Sequence, residues 1–179
     1  MVCTALYASP IGILTLAGEE DSLIGLWIEG QKYFRRTLQG RPCAPGELPV
    51  LTAARRWLDR YFAGQAPSPA ALSLAPGGSE FQRAVWKALC EIPYGTVITY
   101  GALAKKAAAQ YGRESLSPRA VGGAVGRNPI SVIIPCHRVV GSDGSLTGYA
   151  GGLEKKLQLL KLEGAALAGL SAAGKERRI

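Results

Sequence analysis

Ser131-Val132-Ile133-Ile134-Pro135-Cys136-His137-Arg138 runs from a β-branched apolar tetrad into a cysteine and the one histidine of the chain. Residues 131–134 are short, apolar and mostly β-branched, which predicts a buried strand. Pro135 ends it, because proline has no N–H to give to a sheet ladder. Sulfur attacks as the thiolate, and a neighbouring base or positive charge favours that form. His137 and Arg138 stand beside the sulfur in sequence, so one reading is an activated nucleophile at the end of a rigid strand. The other is a buried free cysteine with a capping histidine, since free cysteine is among the most buried residue types.

Composition narrows the setting. With 179 residues, 47% of them hydrophobic, the chain can build a sizeable core in one domain or two small ones. No apolar run approaches the roughly 20 residues that span a bilayer. Met1-Val2-Cys3-Thr4 does not open a basic-then-apolar signal peptide, so a cytoplasmic protein is expected. The cysteines Cys3, Cys43, Cys90 and Cys136 form no Cys-x-x-Cys pair, and one histidine makes no zinc pattern. No metal site is therefore expected. The net charge is +8, from 21 Lys+Arg against 13 Asp+Glu. That favours a polyanionic partner such as nucleic acid, although a merely soluble basic protein has the same balance.

Outward from the cysteine, the pattern predicts an α+β chain. Residues 2–8, 12–18 and 22–29 read as three strands of a small antiparallel sheet, broken at Ser9-Pro10-Ile11-Gly12 and Gly18-Glu19-Glu20-Asp21. Residues 31–48 read as loop with a helical turn near 32–38. Leu51, Ala54, Leu58, Tyr61 and Phe62 fall at helical spacing over residues 49–62, and Gly64 marks the stop. Residues 63–78 are small and rich in Pro and Gly. They form either a domain boundary, giving units 1–75 and 79–165, or a long ordered loop on one fused core. Ser79 and Gln82 fit a capping box that opens a helix to about residue 91. Two short helices follow, over residues 100–109 behind Thr99 and 119–126 behind Ser117-Pro118. They resemble a helix-turn-helix, a pattern shared by many ordinary helix pairs. Arg119-Ala120-Val121-Gly122-Gly123-Ala124-Val125-Gly126-Arg127 accepts three glycines at roughly 1 kcal/mol each. Close backbone approach is the usual gain. The approach is either to DNA, with little to read base edges, or to another part of the protein. A last helix is expected over residues 153–162, with Leu153, Leu157, Leu159 and Leu160 inward. A loose tail is expected from about residue 165 to 179.

Taken together, Gly95-Thr96-Val97 with Tyr100, Arg119-Ala120-Val121-Gly122-Gly123-Ala124, Asn128-Pro129, Ile134-Pro135-Cys136-His137-Arg138-Val139, Gly148-Tyr149-Ala150-Gly151-Gly152 and Leu162-Glu163-Gly164 resemble the O6-alkylguanine-DNA alkyltransferase (methylated-DNA–protein-cysteine methyltransferase) family, in its stand-alone bacterial type. The likeness is strong over residues 79–164 and general over the N-terminal part, where it implies a ribonuclease H-like α/β unit. It implies direct-reversal DNA repair. The alkyl group of O6-alkylguanine, and of O4-alkylthymine, passes irreversibly to Cys136. His137 acts on the sulfur through a bridging water, Glu163 orients His137, and Asn128 ties the helix pair to the active-site strand. Tyr100 contacts the flipped nucleotide and protonates the leaving guanine. Tyr149 lines the pocket, with Val139 and Ala150 on the base. Arg119 fills the gap left in the stack, and Thr99, Ala120, Gly122, Gly123, Ala124 and Arg127 lie along the minor groove of the duplex. Ala150 stands where some members carry serine, which removes one hydroxyl contact. The implied protein is a monomer without cofactor. Two other readings remain: a non-enzymatic protein that binds alkylated bases, and a thiol hydrolase built on Cys136 and His137.

Overall fold

The computed structural model describes residues 1–172. Three antiparallel strands, β1 (Val2–Ser9), β2 (Gly12–Glu19) and β3 (Ser22–Ile28), form where the alternation placed them. The expected three-stranded sheet gains a fourth member. β4 (Cys43–Pro45) pairs parallel to β1, giving the order β3-β2-β1-β4. Three residues with two prolines nearby carry no strand pattern, and β4 exists only because β1 offers a free edge.

α1 (Pro49–Phe62) covers the sheet with Leu51, Ala54, Leu58 and Tyr61 fully buried, along with Val50 and Trp57. Gly64 follows in the left-handed conformation at φ +76°, where Gln65 N closes back on Arg60 O. Residues 63–78 are an ordered connection, not a slack linker. Leu23 N donates to Ser73 O and Ala75 N to Leu23 O, which lays this segment along β3. One apolar cluster then runs from Leu14, Leu26 and Leu58 to Val85, Leu103, Val121 and Ile133, so both halves share a core.

The C-terminal half holds α2 (Glu80–Cys90), β5 (Ile98–Thr99), α3 (Tyr100–Tyr111) and α4 (Pro118–Val125). Ser79 and Gln82 make the full capping box, at 3.2 and 2.9 Å. Thr99 caps α3 through Ala102 N, and Ser117 caps α4 with proline at its first position. Trp86 of α2 is buried, and its Nε1 donates to Ala124 O at 2.9 Å, pinning the end of α4. β6 (Val139–Val140) pairs parallel with β5, and α5 (Leu153–Leu162) closes the core with Leu159 and Leu160. Leu153 and Leu157 are only half-buried, and Lys156 takes the inward position between them.

Two expectations fail. Residues 131–134 are not a strand. Ile130 makes one bridge to Leu26, and the chain then coils through tight turns, with Ile133 N on Ser131 O, Ile134 N on Ile130 O and Cys136 N on Ile134 O. β-Branched apolar residues suit any fully buried backbone whose polar groups find partners, and here turns supply them. Likewise the segment after residue 164 is not loose through its described part. Ala165 is buried, and β8 (Ser171–Ala172) pairs with β7 (Ser145–Leu146). The rest of the expected tail lies outside the described residues.

Replacing Ser79 by alanine removes the donor-satisfying oxygen at the start of α2. Urea or thermal unfolding should show a loss of about 1 kcal/mol.

Candidate active site

Cys136-His137-Arg138 forms a single 3-10 turn, and all three residues are buried. The turn is braced by Asn128, which is itself 4% exposed. Asn128 Nδ2 donates to Ile134 O at 2.8 Å and to Cys136 Sγ at 3.2 Å, and Ile130 N donates to Asn128 Oδ1 at 2.9 Å. Asn128, three residues past the end of α4, thus holds the coiled segment that presents the sulfur. Val132 sits in this coil at φ +70°, a costly conformation for a β-branched side chain.

Glu163 lies just past α5 and gathers the other groups. Its Oε1 accepts from His137 Nε2 at 2.6 Å, Tyr61 Oη at 2.7 Å and Arg138 Nη2 at 2.9 Å. Its Oε2 accepts from Arg138 Nε at 2.8 Å and Gly95 N at 3.2 Å. Gly95 has φ +75°, and a Cβ there would stand 2.8 Å from Glu163 O, so only glycine lets the turn come this close. Burial alone would raise the carboxyl pKa, but the hydrogen bonds and charges of His137 and Arg138 outweigh it and hold it at about 2. Glu163 is therefore an anion at neutral pH, and a neutral His137 must carry its proton on Nε2 to bond it. Nδ1 is buried with no protein partner and is left as the basic nitrogen.

Electrostatics around the sulfur differ from the sequence expectation. Burial pushes the Cys136 thiol up, while the Asn128 hydrogen bond and the Lys156 charge pull it down. Arg138 does not serve the sulfur, because its guanidinium is committed to Glu163 and to Ile92 O at 2.6 Å. The nearby cation is Lys156. It is fully buried, its Nζ donates to Val139 O and to Thr147 O at 2.8 Å, and burial brings its pKa down to about 8. Burial also lowers His137 below its ordinary 6.5, against the opposing pull of Glu163. At neutral pH the resting pair is a thiol and a neutral imidazole.

A cavity of about 260 Å³ opens nearby, lined in part by Gly122, Gly123, Gly148, Tyr149 and Ala150. Tyr149 is buried, its ring lies edge-on to His137 at 6.4 Å, and its hydroxyl has no partner. Tyr100 Oη donates to Thr147 O at 3.2 Å. Gly148 has φ +67°, and a Cβ on it would reach 2.9 Å from that hydroxyl. Val139 is buried in β6 next to the turn. Of the expected base-pocket residues, Tyr149 and Ala150 line this opening, Tyr100 adjoins it behind Gly122 and Gly148, and Val139 is not among the residues that line it. Arg119 and Ala120 are exposed at the start of α4, and Arg127 is exposed just beyond its end. Thr99 is half-buried at the cap of α3. Ala124 departs from its assigned face, being 3% exposed with its carbonyl held by Trp86.

The glycines of α4 distinguish the two readings of that helix. A Cβ on Gly122 would meet only the Tyr100 ring, at 3.6 Å, and one on Gly123 only Arg127, at 3.5 Å. These are ordinary contacts, so internal packing does not require glycine here. The space the glycines leave faces outward.

Sequence reasoning missed three features. Lys156 could have been found, since helical spacing from Leu153, Leu159 and Leu160 places it on the inward stripe. Tyr61 was placed on the buried face of α1, but nothing local points to Glu163. The third is a cationic cluster around Tyr33, with Lys32 Nζ, Arg36 Cζ and Arg127 Cζ at 5.1, 5.3 and 5.6 Å from its ring centre. It brings the loop after β3 against the end of α4. Among the described residues no carboxylate pairs with these cations, and no three His, Cys, Asp or Glu side chains gather as metal ligands.

This architecture matches known proteins over most of its length. Residues 2–76 match the model of the ribonuclease-like domain of 6-O-methylguanine DNA methyltransferase, and residues 80–165 match that of its DNA binding domain. The methylated-DNA–protein-cysteine methyltransferase of Methanosarcina barkeri is 47% identical over 169 residues, covering 87% of this chain and 92% of that one. The protein of the same name from Haemophilus influenzae is 43% identical, covering 88% and 83%. The crystal structure of the Mycobacterium tuberculosis O6-methylguanine methyltransferase superposes with a TM-score of 0.74 at 42% identity, covering 92% of this chain and 93% of that one. The same organism's OGT in complex with DNA gives 0.74 at 40% identity, covering 94% and 97%. With both halves matched and the cysteine, its histidine and their carboxylate joined in one buried cluster, the chain belongs to the 6-O-methylguanine DNA methyltransferase family.

Proposed function

We propose that the chain repairs alkylated duplex DNA by moving the alkyl group from O6 of guanine, and from O4 of thymine, onto Cys136. The observation that carries this reading is the His137–Glu163 contact at 2.6 Å, which fixes the imidazole tautomer next to a buried thiol. The modified oxygen is hidden in the base stack, so the nucleotide must be flipped out at a cost of a few kcal/mol. The outward glycine face of α4 permits close approach of a sugar-phosphate backbone in the minor groove. Arg119, exposed at the head of that helix, is suited to enter the stack and offset part of the unstacking cost. Tyr149, Val139 and Ala150 receive the base, with Tyr100 beside them.

The chemistry is a displacement. The thiol proton leaves for His137 Nδ1 through one water, and the imidazolium that forms is stabilised by Glu163. A bond forms from Sγ to the alkyl carbon as the carbon–O6 bond breaks. The electron pair departs with guanine, which takes a proton from Tyr100. Burial raises the Tyr100 phenol pKa, so it holds its proton at neutral pH until the purine anion forms. It then regains one released by the His137 imidazolium, so that in sum the thiol proton has passed to guanine. The product thioether has no leaving group, and each molecule acts once. No step calls for a cofactor.

Residues 1–75 and 79–165 then serve as a supporting half and a DNA-binding, alkyl-accepting half. No helix among the described residues is long and apolar enough to cross a membrane, which fits action as a cytoplasmic monomer on DNA. A purely lesion-binding role fits less well, because it has no use for an acceptor sulfur flanked by an oriented base.

Incubation with a duplex containing O6-methylguanine should add one methyl mass to the Cys136 peptide at a stoichiometry of one. An unmodified peptide, or turnover beyond one per molecule, contradicts the reading. On the acid side the transfer rate should hold down to pH 6.5 and fall only below it, because burial lowers the His137 pKa and the base must be neutral to act. A pH series of quenched single-turnover rates tests this. Arg119→Ala should slow repair in duplex DNA about tenfold or more, while leaving reaction with free O6-benzylguanine unchanged, since it acts in the flip.

A further inference from the structure

Glu163 takes one of its hydrogen bonds from the half of the chain that the alkyl-transfer reading leaves without a chemical task. Tyr61 stands on α1, is fully buried, and donates from Oη to Glu163 Oε1 at 2.7 Å across 102 positions of sequence. That same oxygen receives His137 Nε2 at 2.6 Å, and Tyr61 Oη lies 3.4 Å from Nε2 itself. The phenol cannot drift. Its ring stacks on Trp57 at 5.3 Å and meets Tyr94 and His137 edge-on at 5.9 and 6.5 Å. Burial beside the carboxylate raises its pKa far above the ordinary phenol range, so it remains a donor.

We propose that Tyr61 is a positioning residue for alkyl transfer: its hydroxyl fixes the Glu163 oxygen that orients His137 and so sets the basicity of the imidazole. Two donors share one oxygen. The hydroxyl draws negative charge away from the side facing the imidazole, which limits how far Glu163 stabilises the imidazolium. The groups facing His137 from the elements around it are Glu163 and Lys156 from the α5 region, Cys136 and Arg138 from its own turn, Tyr149 from the pocket loop and Tyr61 from α1. Tyr61→Phe removes one hydroxyl and leaves all the others. The inference rests on the alkyl-transfer reading and assigns the N-terminal half a part in the chemistry beyond support.

The test compares full-length wild type, Tyr61→Phe and the packing control Trp57→Phe. Each is assayed for transfer from an O6-methylguanine duplex and from free O6-benzylguanine, for duplex affinity, and for the pKa of the imidazole by 15N NMR, which is unambiguous with one histidine. Above the acid limb, Tyr61→Phe should speed both transfers by the same factor, a fewfold, because the imidazolium that forms is then better stabilised by Glu163. Duplex affinity should be unchanged, and the imidazole pKa and the acid limb of the rate should both move to higher pH. Trp57→Phe should lower the melting temperature and leave the imidazole pKa in place. Should Tyr61→Phe fail to melt cooperatively, site-specific 3-fluorotyrosine at position 61 strengthens the same donor in a folded chain and must move the imidazole pKa downward. Wild-type rates and pKa in Tyr61→Phe, or the same pKa shift in Trp57→Phe, overturn the proposal while alkyl transfer by wild type still stands. Absence of transfer by wild type defeats the functional reading itself.

Discussion

A single buried carboxylate holds this structure's working parts together. Glu163 is removed from water and accepts five hydrogen bonds, three of them on one oxygen. A charge buried so deeply is tolerable only when paired and fully bonded. Arg138 supplies the countercharge through two parallel contacts, a geometry that guanidinium fits and ammonium does not. Remove the carboxylate and Arg138 is left as a buried, half-bonded cation, His137 loses its tautomer, and Tyr61 loses its acceptor. This group joins the end of α5 to the turn that carries the sulfur, beside the Lys156 bond to Val139 O.

That arrangement explains how a protonated thiol and a neutral imidazole can still form a reactive pair. Burial disfavours charge on both. A resting thiolate–imidazolium pair would cost stability continuously and expose the sulfur to oxidation. Under the proposed transfer the proton moves only when an electrophilic carbon is present, and the fixed Glu163 anion is already aligned for the imidazolium that results. Lys156 adds a further positive charge near the sulfur without touching the relay. A protein that acts once gains from a nucleophile that stays quiet until its substrate arrives.

The fold contributes by bringing distant pieces to one place. Asn128 extends the end of α4 into the coil that carries Cys136, so the helix suited to lie on DNA and the acceptor sulfur are connected through one buried amide. The loop after β3 brings Lys32, Tyr33 and Arg36 against Arg127, adding positive charge beside the open face of α4. The N-terminal half, sheet and α1 together, is thus more than a platform. It places Tyr61 in the interior and positive charge at the rim.

By itself the sequence determined which residues carry chemistry and where the regular elements run. Alternation in residues 2–28, the capping box at Ser79 and the proline and serine before α4 are local signals, because hydrogen bonds and side-chain periods repeat over a few residues. Cys136, His137 and Glu163 were legible through the family pattern. Only the tertiary structure decided what surrounds them. The tetrad at residues 131–134 became a coil because burial, not strand pairing, is what its β-branched residues require. β4 arose from an edge that no local pattern reports. Lys156 in place of Arg138 as the cation near the sulfur, and Tyr61 on Glu163, depend on which buried groups meet after the chain has closed. Pairing across 102 residues is fixed by the geometry of the shared core and by the demand that every buried polar atom find a partner.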